Sequence, residues 1–177
     1  MVAIFLAHGF EEIEALCVVD ILRRADIAIC TVSVTEDLCV TGAHDITILC
    51  DKTIAQIDHC DVLILPGGMP GTTNLMQCEK LQNLCQGTAK NGLVAAICAA
   101  PMMLGNLGLL QGKKAVCFPG FEDKLTGAIL QDASVVRDGN IITAKGPGAA
   151  GKFAFTLVSA LKDKQTAQSI KKVMQYE

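Results

Sequence analysis

A single thiol ends the apolar run in Leu93-Val94-Ala95-Ala96-Ile97-Cys98-Ala99-Ala100-Pro101. The run has the composition of a buried strand. Pro101 suits the first turn of a helix, where its missing N–H costs nothing. Cys98 at that junction would face unpaired backbone N–H groups, which favour negative charge, so the placement predicts a lowered pKa and a reactive thiolate. Ala96, Ala99 and Ala100 leave room for the tight turn of a nucleophile elbow. The bland alternative, a small buried hydrophobe, fits most of the other cysteines better than it fits this one.

Two further features could complete a site with Cys98. Glu14 lies among Phe10, Cys17, Val18 and Ile21 at helical spacing, so a carboxyl would sit on an apolar stripe. Burial there raises a carboxyl pKa and suits it to donate a hydrogen bond or move a proton, whereas a snorkelling surface glutamate would do neither. Gly67-Gly68 follows the apolar run Val62-Leu63-Ile64-Leu65. The Gly68 amide and the Ala99 amide together could form an oxyanion site, although a double glycine also simply ends a strand. Neither glycine matches a dinucleotide or phosphate-loop fingerprint. The three histidines are His8, His44 and His59, so none follows Cys98 in the chain. A conventional cysteine–histidine hydrolase with a downstream base is therefore excluded. His8 ends the first strand and lies at the same edge, either as a pocket residue or as part of a loop.

These residues need a scaffold that delivers them to one place. Continuous apolar runs predict strands at Val2–Ala7, Ile27–Val34, Val62–Leu65, Leu93–Ile97 and Ala115–Phe118. Helical spacing predicts helices at Ile13–Arg24, Glu79–Lys90, Ala99–Leu107, Ala149–Leu161 and Gln165–Met174. Val40–Leu49 and the pair Ser134–Arg137 and Ile141–Thr143, joined by a turn at Asp138-Gly139-Asn140, read as antiparallel. Alternating strands and helices predict a single α/β domain over residues 1–177, with a mostly parallel sheet covered on both faces. Ligands of such sheets bind at the carboxyl ends of the strands, which gathers His8, Gly67-Gly68, Cys98 and Gly146-Pro147-Gly148.

Composition removes several function classes. The chain has 177 residues, 51% of them hydrophobic, which is incompatible with disorder. A net charge of −3 gives no electrostatic case for nucleic acid. Nine cysteines at irregular spacing, several inside apolar runs, read as reduced thiols of a cytoplasmic protein rather than a disulfide framework. No spacing supports a metal site, and no cofactor is implied. The uncharged stretch Leu93–Leu110 is interrupted by Pro101, Gly105, Asn106 and Gly108, so it reads as strand plus helix rather than a membrane span. The opening Val2–Ala7 run has no basic flank, so no signal peptide is expected.

Five blocks in order resemble the ThiJ/PfpI superfamily, and within it the DJ-one branch, the parkinsonism-associated protein deglycase type. They are Gly9-Phe10-Glu11-Glu12-Ile13-Glu14, Val19-Asp20-Ile21-Leu22-Arg23-Arg24-Ala25, Leu65-Pro66-Gly67-Gly68, Ala95-Ala96-Ile97-Cys98-Ala99-Ala100-Pro101 and Gly146-Pro147-Gly148. The resemblance covers essentially the whole chain. It implies a flavodoxin-like three-layer sandwich, usually a homodimer. It also implies an oxidation-sensitive Cys98 beside a protonated Glu14, with the Gly68 and Ala99 amides paired. Arg24, Gly146 and Pro147 would line the pocket. Two positions depart from the pattern. Phe118 stands where some members carry a histidine, and His44 stands where close relatives carry a second pocket arginine. The resemblance implies a cysteine-dependent deglycase or glutathione-independent glyoxalase, not a peptidase. Its substrates would be methylglyoxal, glyoxal or their early adducts on proteins. The alternative is a non-catalytic oxidative-stress sensor or redox-regulated chaperone.

Overall fold

The computed structural model describes residues 1–176. In chain order the elements are β1 (Val2–Leu6), α1 (Glu12–Arg24), β2 (Ile29–Ser33), β3 (Cys39–Thr41), β4 (Thr47–Leu49), β5 (Lys52–Thr53), β6 (Val62–Leu65), α2 (Gly71–Gln77), α3 (Glu79–Asn91), β7 (Leu93–Ile97), α4 (Pro101–Asn106), β8 (Lys114–Ala115), β9 (Ile129–Leu130), β10 (Val135–Asp138), β11 (Ile141–Ala144), α5 (Ala150–Leu161) and α6 (Lys164–Val173).

Seven strands form the main sheet in the order β10-β11-β7-β6-β1-β2-β5. All its pairings are parallel except β10 with β11, which is the expected hairpin at Gly139-Asn140. Alternation along each strand sends side chains to two cores. Ile4, Leu6, Ile64 and Ile97 pack with Val18, Ile21, Phe153 and Leu157 of α1 and α5. Ala3, Phe5, Leu63 and Leu65 pack with Leu75, Leu81, Leu84 and Met103 of α2, α3 and α4. The central strands are buried on both faces, which is why they read as unbroken apolar runs. The result is the flavodoxin-like three-layer sandwich.

Three local expectations change. The run Ala115–Phe118 is a strand only at its first residue, within β8, which pairs with β9 outside the main sheet. Beyond it the backbone leaves the ladder. The Val116 amide donates to Thr143 Oγ1 at 2.9 Å and the Phe118 amide donates to the Cys98 carbonyl at 2.9 Å. Second, α2 was not foreseen, because a seven-residue helix holding a glycine and two threonines has weak intrinsic propensity. Third, the Val40–Leu49 hairpin, β3–β4, forms its own two-stranded sheet. It docks over the segment before α1, with Gly9 donating to the Thr41 carbonyl and Ala43 to the Phe10 carbonyl, both at 2.8 Å. Leu93–Leu110 resolves into β7, α4 and a turn. No helix among the described residues is long and apolar enough to cross a membrane.

Candidate active site around Cys98

The parallel ladder carries β7 to the turn. The Cys98 amide donates to the Ala144 carbonyl at 2.9 Å, and its carbonyl accepts from Phe118. Between these bonds Cys98 is held at φ +66°, in the left-handed region that side chains with a Cβ rarely adopt. Such strain persists only where the surroundings fix it, and it concentrates at functional sites. Here it lifts the half-buried thiol off the strand end, as a nucleophile elbow requires.

Glu14 reaches that thiol from the first turn of α1. Its side chain is fully buried at 0% exposure. Oε2 accepts a hydrogen bond from the Gly67 amide at 2.7 Å, while the buried Oε1 has no partner. Gly67 is required by space. A Cβ there would lie 2.6 Å from Cys98 Cβ, 2.8 Å from Glu14 Oε2 and 3.1 Å from Cys98 Sγ. Carboxyl and thiol thus crowd one point from opposite sides. Gly68 is required by conformation, at φ +90°.

Burial pushes the Glu14 carboxyl up to about 7, against the lowering effects of the Gly67 amide and Cys98. Cys98 does not have the lowered pKa expected from its place at a helix start. Burial first, then the charge of Glu14 and the hydrogen bond to it, push the thiol up to about 12. The Ala99 and Gly68 amides pull the other way without prevailing. The two groups therefore share one proton-transfer pair. The ionised carboxylate holds the thiol's proton, and the protonated carboxyl turns its O–H into a donor for whatever charge the sulfur acquires.

The remaining candidates divide. Phe118, which is 42% exposed, joins the wall beside Cys98, and a Cβ on Gly146 would lie 3.0 Å from its ring. Phe118, Gly146 and Pro147 line a cavity of about 330 Å³ with Lys145 at its edge. His8 is spent on the fold: its exposed ring accepts the Thr41 amide at Nδ1, 3.1 Å away. Arg24 lies outside the constellation. It sits ten residues beyond Glu14, about 15 Å along the helix, and its Nε donates to Asp20 at 2.8 Å.

In the sequence Glu12 stands only within a family block, and the structure gives it a partner. Glu12 is 5% exposed. Its two oxygens accept the His44 amide at 2.7 Å and His44 Nδ1 at 2.8 Å. No local signal pairs them, because Glu12 and His44 stand 32 residues apart in the chain. Ligand atoms of Glu11, Glu12 and His44 lie within 4.8 Å of one another, the one grouping of metal-ligand types among the described residues. Both Glu12 oxygens already serve His44, so a cation would have to break those bonds.

The profile of the DJ-1/PfpI family matches residues 1–160. The chain belongs to the DJ-1/PfpI family. Protein DJ-1 homolog A of Arabidopsis thaliana is 37% identical over 98% of this chain, which spans 46% of that relative's length. Protein dj-1beta of Drosophila melanogaster is 35% identical, with 96% of this chain and 93% of the relative covered. Glutathione-independent glyoxalase DJR-1.2 of Caenorhabditis elegans is 33% identical over 92% of this chain and 88% of its own length. Among solved structures, oxidized DJ-1 of Toxoplasma gondii superposes with a TM-score of 0.95 at 34% identity, covering 99% of this chain and 97% of that one. The family match over residues 1–160 thus covers the whole elbow.

Proposed function

We propose that the protein is a glutathione-independent glyoxalase and deglycase acting on methylglyoxal, glyoxal or their early adducts on proteins. The observation that carries this reading is the buried Glu14 carboxyl set against the strained Cys98 thiol, the two crowding the space beside Gly67. The glyoxalase name of the nematode relative supports the substrate class.

In this scheme Glu14, ionised, takes the Cys98 proton as sulfur bonds to the aldehyde carbon. The aldehyde oxygen takes that proton from Glu14, giving a hemithioacetal and restoring the carboxylate, and the Gly68 and Ala99 amides steady the oxygen as its charge develops. Glu14, ionised again, removes the proton from the former aldehyde carbon to give an enediolate and returns it to the neighbouring carbonyl carbon, while the hydroxyl proton passes from the first oxygen to the second, which leaves a 2-hydroxy thioester on Cys98. Water cleaves the thioester, releasing lactate from methylglyoxal or glycolate from glyoxal and restoring the thiol. A carboxyl with pKa about 7 is matched to accept and return a proton at neutral pH, so no imidazole is needed. We place this chemistry in a cytoplasmic homodimer. The test is methylglyoxal turnover by the wild type, Cys98→Ser and Glu14→Gln. Undiminished turnover in Cys98→Ser sinks the proposal.

A second reading is favoured by Phe118, an apolar ring that offers no base beside Cys98. Here the protein senses peroxide without turnover. Cys98 is oxidised to a sulfinate, and protonated Glu14 donates to it. Absence of dicarbonyl turnover together with selective oxidation of Cys98 would favour this reading.

A further inference from the structure

We propose that the groove between α5 and α6 is a binding site for a polyphosphate anion, separate from the Cys98 chemistry. The groove has a volume of about 570 Å³. Four cations line it: Arg137 from β10, Lys152 from α5, and Lys164 and Lys171 from α6. No carboxylate lines it among the described residues, and none of the four cations is in an ion pair there. This concentration of one sign is unexpected on a chain of net charge −3. The other large cavity, about 640 Å³, is different in kind, because Asp58 and Asp61 share its wall with Lys80.

Periodicity explains how the groove arises. Lys152, Phe155, Thr156 and Ser159 fall on one face of α5, and Lys164, Gln168 and Lys171 on one face of α6. The two faces meet above small residues. A Cβ on Gly148 would meet nothing within 4 Å, and the Tyr176 ring packs directly on Gly151. Lys152 Nζ donates to Ser134 Oγ at 2.9 Å, which orients the ammonium and leaves two protons for a ligand. The Ser159 hydroxyl and the Gln168 amide add neutral donors to the lining.

The spacing of the cations selects the ligand. Lys164 and Lys171 stand two helical turns apart, about 10 Å along α6. A single phosphate monoester satisfies one of them, whereas an extended chain of phosphates reaches both and neutralises the line between. The shared chemistry is the polyphosphate, whether carried by a nucleotide or free.

Titration calorimetry at physiological ionic strength with ATP, inorganic tripolyphosphate, adenosine and a poly-glutamate peptide tests this. ATP or tripolyphosphate should bind saturably below about 1 mM, adenosine should not bind, and the stronger of the first two identifies the source. Lys164→Gln and Lys171→Gln should each weaken binding roughly tenfold, with melting curves and Cys98 oxidation unchanged. Lack of saturable phosphate binding, poly-glutamate binding as tightly as the phosphates, or full binding by the double variant each overturns the assignment. None of these outcomes bears on the dicarbonyl reading, because no groove residue belongs to the Cys98 pair.

Discussion

Glu14 and Gly67 are joined by one hydrogen bond of 2.7 Å, from the Gly67 amide to Oε2, and that bond aims a fully buried carboxyl at Cys98. It links the first helix to the loop after β6, so the proton-transfer group and the nucleophile meet from different β–α units at one edge of the sheet. The consequences can be measured separately.

Turnover should rise with pH through about 7, because only ionised Glu14 can take the thiol's proton. Glu14→Gln cannot ionise. It should lose this limb of the kcat/KM profile and fall in rate by roughly 10²–10⁴-fold, the usual worth of a positioned acid–base group. A Glu14→Gln profile that keeps the rise near 7 would assign it to another group.

The same group makes stability depend on pH. The folded-state pKa of Glu14 is raised from the ordinary 4.5 to about 7. Between those values the native state holds a proton that the unfolded chain has lost, so this contribution is full below 4.5 and disappears as pH rises to about 7. A shift of this size corresponds to roughly 3 kcal/mol at most. Denaturant melts at pH 5 and pH 8 should differ in the wild type and converge in Glu14→Gln.

Much of this was legible because it is periodic or punctuated. Glu14 announced itself as a carboxyl on an apolar stripe, and Cys98 as a thiol between an apolar run and Pro101. What escaped depends on non-local closure. The extended look of Val116–Phe118 could not reveal that their amides would go to Thr143 and Cys98 instead of a neighbouring strand. The thiol's pKa was misjudged for a related reason. Local sequence displays the amides near Cys98, but the burial and the carboxylate that outweigh them come from residues far away in the chain. Arg24 was carried over from a resemblance, and the helix length places it a full α1 away from the site.

Gly67→Ala should damage the site more than the fold. The added Cβ would stand 2.6 Å from Cys98 Cβ and 2.8 Å from Glu14 Oε2, so the pair must separate. Overpacking of this kind costs about 1–3 kcal/mol. The variant should still melt cooperatively, with lower stability and little dicarbonyl turnover. Wild-type turnover in Gly67→Ala would show that the close approach of thiol and carboxyl is dispensable.

Peroxide should select among the nine cysteines. Burial makes most of them poor nucleophiles: it pushes Cys50 and Cys117 up to about 11, and Cys85, at 0% exposure, further still. Cys98 is raised as well, yet its side-chain hydrogen-bond partner is the Glu14 carboxylate, which can receive its proton, and the Ala99 and Gly68 amides both favour its thiolate. Cys39 is exposed but lies on the β3–β4 hairpin without those partners. Peptide mapping after mild peroxide should therefore find Cys98 modified first, and as sulfinate, with Glu14 protonated against it. In Glu14→Gln the proton acceptor is gone, so oxidation of Cys98 should slow until Cys39 competes. Equal modification of Cys39 and Cys98 in the wild type would mean that exposure, not the Glu14 pair, governs reactivity.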